Sequence, residues 1–196
     1  MSPRVIVLGV TGLVAVSALS AFSFTALGEY LNEDLADAIG QGDYELATTD
    51  GKSFTSASLT GEPSMVFFGF AHCPEVCPTT LGDIGLWQDI LAEERKGPIR
   101  AFFITVDPER DSIEMLEDYV SWVPGVVGVS GTLKDTDAVI EAFRIFVRKI
   151  PLESGSYTMD HSASVLLFDE NGSFVEAIRY QEDLENVLEA LRRLHS

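Results

Sequence analysis

The sequence predicts an α/β domain with a mixed central sheet flanked by helices. Two observations carry this expectation. SMVFFGF (64–70) and RAFFITV (100–106) are apolar runs of strand length, separated by a segment of helical periodicity. Strands without polar alternation, joined through a helix, read as parallel neighbours buried on both faces. Near the C-terminus, SVLLFD and FVEAIRY flank Glu170-Asn171-Gly172-Ser173. Asn-Gly between apolar runs is a hairpin signal, so this part adds antiparallel strands.

The remaining elements fall between these. YELATTDGKSFT reads as a short hairpin around Asp50-Gly51. Pro78 to Glu94 reads as a helix, with Pro78 near its first turn and Leu81, Ile84, Ile90 and Leu91 on the apolar side. Asp111-x-x-Glu114 resembles a capping box, with Asp111 as the cap, opening the helix SIEMLEDYVSWV. GVVGV is a short strand. Asp135 or Thr136 caps the next helix, which extends to about Val147. Tyr157 to Ser162 reads as a polar loop, and the last helix covers about Gln181 to Leu194. Strand, helix, strand, helix, strand, helix, hairpin, helix is the order of a thioredoxin-like domain.

The chain of 196 residues fits an N-terminal segment plus one domain large enough to fold without disulfide staples. A formal charge of −18 argues against nucleic acid as a partner, because phosphate repels such a surface. Val5 to Leu27 carries no charge. As a helix it would reach about 34 Å, enough for a bilayer core of about 30 Å. Arg4 precedes the run and no further basic residue occurs before Lys52. The positive side stays in the cytoplasm, so the domain is expected outside. The alternative is a cleaved signal peptide, with small residues around Ala18 to Ala21 as the site. The expected division is an anchor over 1–28, a polar linker over 29–42 and the domain over 43–196.

Cys73 and Cys77 are the only cysteines, in FFGFAHCPEVCPTTL, within the turn after the first buried strand. Pro74 and Pro78 disfavour helical backbone at the residue before each. Cys73 is therefore expected in the loop and Cys77 at the cap of the helix that Pro78 begins. A helix N-terminus favours thiolate, the form that binds metal or attacks disulfides. Two thiolates are too few for a structural zinc site but suit a soft cation such as Cu(I). The chain's histidines are His72, His161 and His195. His195 reads as a solvated tail residue. His72 adjoins Cys73 in extended chain and points away from it. His161 precedes SVLLFD in a loop that a thioredoxin-like layout brings near the cysteine turn. Asp107, at the same end of the sheet, is a candidate to orient His161 from behind.

FFGFAHCPEVCPTTL, VDPERDSIEMLEDYV and YTMDHSASVLLFDENGSF together resemble the Sco/SenC family of membrane-anchored copper chaperones. The resemblance runs from about Asp43 to the C-terminus and includes an aromatic at Phe146. It implies one copper ion, Cu(I) or Cu(II), held by Cys73, Cys77 and His161, with Asp107 and Asp160 of the Asp160-His161-Ser162 motif behind them. It implies a Cys73–Cys77 disulfide when the pair is oxidised. The implied setting is a bacterial inner membrane, single-pass, with the domain in the periplasm. The implied partners are the CuA site of cytochrome c oxidase subunit II, a periplasmic thioredoxin-like reductant and other copper chaperones.

Three functions compete. A copper chaperone, not itself an enzyme, needs Cys73, Cys77 and His161. A thiol–disulfide oxidoreductase or redox sensor needs the cysteines alone. A thiol peroxidase is discouraged, because no Thr stands three residues before either cysteine.

Overall fold

The computed structural model describes residues 38–195. The anchor expected over 1–28, and the linker as far as residue 37, lie outside the described residues. Among the described residues no helix is long and apolar enough to cross a membrane.

In chain order the elements are β1 (Leu46–Thr48), β2 (Ser53–Phe54), a 3₁₀ turn (Ser56–Leu59), β3 (Ser64–Gly69), α1 (Val76–Glu93), β4 (Arg100–Thr105) and α2 (Ile113–Val120). They continue with β5 (Val126–Ser130), α3 (Leu133–Ala142), β6 (Val147–Pro151), β7 (Tyr157–His161), β8 (Val165–Phe168), β9 (Phe174–Ile178) and α4 (Leu184–Arg193). A seven-stranded sheet has the order β2-β1-β5-β4-β3-β8-β9. β3, β4 and β5 run parallel, while β1 and β8 join them antiparallel from either side. The mixed sheet flanked by helices is the thioredoxin-like architecture the sequence predicts.

β3 is buried along its whole length. Adjacent residues of a strand face opposite layers, so Phe67 and Phe68 feed different parts of the core. Phe67 packs on Phe103, and Phe103 on Tyr119 of α2. Phe68 meets Phe143 edge-on at 5.1 Å, and Phe143 also contacts Tyr44, Phe54 and Phe168. Residues just before β1 are tied in as well: Gly40 N–H donates to the Ala142 carbonyl at 2.9 Å, and the Tyr44 hydroxyl donates to the Gly40 carbonyl.

Several expected boundaries are corrected. α1 starts at Val76, so Cys77 lies inside the first turn and Glu75 takes the cap position. Pro78 still fits there, because the first turn's N–H groups have no helical partner to lose. Ser112, not Asp111, caps α2: its hydroxyl accepts from Met115 N–H at 3.3 Å. Thr132, not Asp135 or Thr136, caps α3. α3 ends at Ala142, because Val147 already belongs to a strand. Tyr157 to His161 is likewise a strand and not a loop. β6 and β7 pair antiparallel as a separate two-stranded sheet, a hairpin arm with Val147 opposite His161. His195 is held by Leu191 and Gly97 carbonyls instead of hanging in solvent.

Phe143 is 2% exposed at the centre of its aromatic cluster. Phe143→Ala should therefore cost about 3–5 kcal/mol, read as a lowered urea midpoint with an unchanged slope.

Candidate metal centre

Cys73, Cys77 and His161 come together although they arrive from three different segments. β3 delivers the chain to the loop that holds Cys73, where Cys73 N–H donates to the Phe70 carbonyl at 3.1 Å. The first turn of α1 presents Cys77, which is fully buried. The last residue of β7 presents His161. One donor atom from each lies within 4.8 Å of the other two. Cys77 Sγ is 3.7 Å from His161 Nε2. Metal–donor bonds of about 2.0–2.3 Å place the donors of a trigonal site roughly 3.5–4 Å apart. The spacing therefore needs only a small inward movement to close on an ion.

The imidazole is oriented for this. His161 Nδ1 lies 2.9 Å from the Ser162 carbonyl oxygen. A carbonyl only accepts, so Nδ1 carries the hydrogen and the neutral ring's lone pair sits on Nε2, toward the cysteines. The ring rests edge-on against Phe70 at 5.7 Å and near Phe67 at 6.5 Å. These apolar neighbours hold its plane and keep water from that side.

The two thiols are unequal. Cys73 Sγ is held well below the ordinary thiol range, first by the hydrogen bond from the Cys77 thiol, then by the His161 side chain, and then by backbone N–H groups of Cys77 and Glu75. The Cys77 N–H stands 3.4 Å from that sulfur. The Cys77 thiol is pushed up, by its hydrogen bond to Cys73 and by burial. One thiolate and one thiol thus share a proton, with the thiolate on the more exposed residue. Both cysteines are free in this structure, so the disulfide implied by the resemblance is not formed here.

Gly69 explains how Cys77 packs so deeply. A Cβ on Gly69 would stand 2.7 Å from a Phe103 ring carbon and 2.9 Å from Cys77 Sγ. The sulfur occupies the space a side chain would take.

The candidate outer residues are placed differently from one another. Asp107, 2% exposed, accepts from Arg110 Nε and from the Tyr157 hydroxyl at 2.9 Å, and His161 is not among its partners. Asp160 is exposed and pairs with Arg148 at 2.8 Å, on the arm's outer side. His72 is half-exposed and lies 3.5 Å from Asp111.

Asp111, expected only as a helix cap, is fully buried beside the site. Its Oδ2 accepts from Ala71 N–H at 2.9 Å and from the Thr105 hydroxyl at 2.6 Å. It thereby fixes the loop that carries Cys73. Arg110 and Tyr157 were also missed. Their signal was chemical: two ionisable or phenolic groups in segments that the predicted fold already placed at one end of the sheet.

The chain is similar to known proteins. The SCO1/SenC family model matches residues 32–196. Protein SCO1, mitochondrial, of Saccharomyces cerevisiae is 34% identical over 140 residues, covering 70% of this chain and 48% of that protein. The chain spans about half to three fifths of the length of the mitochondrial relatives it matches in human and yeast. Copper-bound ScoI of Bradyrhizobium japonicum is 37% identical with a TM-score of 0.69, covering 80% of this chain and 99% of that one. Copper-bound ScoI of Arabidopsis thaliana is 30% identical with a TM-score of 0.74, covering 80% and 98%.

Two outcomes follow from the site. Gly69→Ala should destabilise the fold by about 1–3 kcal/mol through overpacking, and reduced Gly69→Ala should bind metal more weakly than wild type. Alkylation should modify Cys73 before Cys77. Because a lowered pKa keeps Cys73 as thiolate on acidification, its rate should persist below the pH at which an ordinary thiol, near 8.5, stops reacting. A rate-against-pH titration with peptide mapping checks both points.

Proposed function

The chain belongs to the SCO1/SenC family, and from that premise we propose that it is a copper chaperone that binds one copper ion through Cys73, Cys77 and His161. The convergence of these three donors carries the reading. Two thiolates and one imidazole suit Cu(I), and with an added oxygen ligand they accommodate Cu(II). The copper-bound relatives support the choice of metal. The receiving site is the CuA centre of cytochrome c oxidase subunit II, to which the chaperone delivers copper or whose cysteines it reduces. The uncharged run Val5 to Leu27 behind Arg4 supports a single-pass anchor in a bacterial inner membrane, with the domain facing the periplasm. Oxidising surroundings close the dithiol, so loading calls for a thioredoxin-like reductant, and other copper chaperones supply the ion.

A second reading has its own observation. The unequal thiols, one ionised and only partly buried and the other buried and protonated, resemble the attacking and resolving pair of a thiol–disulfide reductase. That activity requires nothing of His161.

His161→Ala separates the two. The variant keeps two thiolates for Cu(I) but loses the nitrogen that Cu(II) favours. Expected are one copper per reduced wild-type chain and none after disulfide formation. His161→Ala should weaken Cu(II) binding more than Cu(I) binding and leave reduction of a model disulfide intact. Normal binding of both copper states by His161→Ala, with full oxidase assembly in cells, would put the reductase reading first.

A further inference from the structure

The β6–β7 arm that carries His161 is not part of the main sheet. Its base is fixed where Phe146 and Ser162 exchange hydrogen bonds. Its far end is fixed to the loop after β4 by a compact set of contacts around Tyr157. The Tyr157 hydroxyl donates to Asp107 Oδ1 at 2.9 Å, and the Tyr157 carbonyl accepts from Arg110 Nη1 at 3.0 Å. Arg110 Nε closes the triangle on Asp107 Oδ2. The Arg110 guanidinium lies 3.8 Å from the Tyr157 ring centroid, and Lys149 Nζ, paired with Glu109 at 2.6 Å, lies equally close.

We propose that Asp107, Arg110 and Tyr157 form a latch that fixes the β6–β7 arm over the cysteines and so sets whether a bound copper ion has His161 as its third donor. The inference rests on the copper-site reading above and adds the device that regulates it. Tyr157 and His161 stand four residues apart on one strand, hence on the same side of it. A pull on the first therefore orients the second. Arg110 also lies 5.9 Å from the Phe70 ring, and Phe70 is the aromatic against which His161 rests. With the latch closed the site is two sulfurs and a nitrogen. With it open, the ion keeps only Cys73 and Cys77, and a partner's ligand can take the vacated position. Asp107, Arg110 and Tyr157 are positioning residues, since none of them is a donor to the ion.

Two readouts test this, one of them free of metal. In the reduced, metal-free full chain in detergent, Arg110→Gln should raise amide exchange across Tyr157–His161 about tenfold, the factor that corresponds to ~1.4 kcal/mol. Amides of β3 and β4 should keep wild-type rates. Tyr157→Phe, which deletes one hydroxyl and keeps the ring, should raise it by a few fold, as loss of a single hydrogen bond does. In the loaded protein, Arg110→Gln should lower Cu(II) affinity about tenfold and diminish the imidazole nitrogen hyperfine coupling in the electron paramagnetic resonance spectrum, again on the scale of ~1.4 kcal/mol. Cu(I) affinity, set by the sulfurs, should change less. Arg110→Lys, which keeps the charge but not the planar fork, should rescue the coupling only in part.

Uniformly faster exchange across the whole domain would mean a general stabilising contact and overturn the latch. So would an unaltered nitrogen coupling and Cu(II) affinity in both Arg110→Gln and Tyr157→Phe. His161→Ala, run in parallel, separates the failures. If it lowers Cu(II) affinity and the latch variants do not, the latch alone is wrong. If it too has no effect, the third-donor reading falls and the latch's role in copper binding falls with it.

Discussion

The carboxyl ends of the three parallel strands are joined through one buried residue. Asp111 accepts from Ala71, just beyond β3, and from Thr105 at the end of β4, while its own carbonyl accepts from Ser130 at the end of β5. A carboxylate with no solvent exposure is costly unless hydrogen bonds replace its water. Here those bonds are the ones that shape the cysteine loop. Removing the carboxylate would strand a partly buried N–H and a buried hydroxyl at the same time, so the arrangement tolerates little change. The turn that carries Cys73 follows from a loop held at this point.

The sheet was legible because β3 and β4 are apolar throughout, and a strand buried on both faces has no other use for that pattern. The hairpin after β8 was legible from Asn171-Gly172, where the glycine takes a positive φ of 79°. The cysteine pair with a distal histidine was legible as well, since few residue types bind soft metals and the chain has few of them. What failed was local. Asp111, Asp135 and Thr136 are all capping types, yet Ser112, one residue after Asp111, and Thr132, three and four residues before the other two, took the caps. Capping propensity does not distinguish neighbours of similar chemistry. Tertiary demand decided it: Asp111 was needed in the interior.

The β6–β7 arm was misread for a different reason. Val147–Pro151 and Tyr157–His161 are half-exposed and charged, so they lack the apolar signature of a core strand. Ser154-Gly155 between them is a turn signal, and Gly155 takes a positive φ of 82°. Two-stranded hairpins are marginal alone, and this one depends on its contacts with the Asp107–Arg110 loop. Those are side-chain contacts between residues dozens of positions apart, which a reading of local periodicity does not reach. The same limit applies to Asp107. Its place near the site was anticipated, but its partners are Arg110 and Tyr157 and not the histidine.

Cys77 and His161 are separated by 84 positions in the chain. Short-range donor sets can trap an ion in an unfolded chain, but this one exists only after β3, α1 and the arm have all docked. An ion that uses all three donors therefore prefers the native state, although the Cys73–Cys77 pair by itself is short-range and keeps some affinity for a soft ion in the unfolded chain. By mass action, free ligand at a hundred times its dissociation constant adds about 2.7 kcal/mol to folding stability. Resistance to unfolding is thereby coupled to metal supply: the metal-free chain is the less stable one.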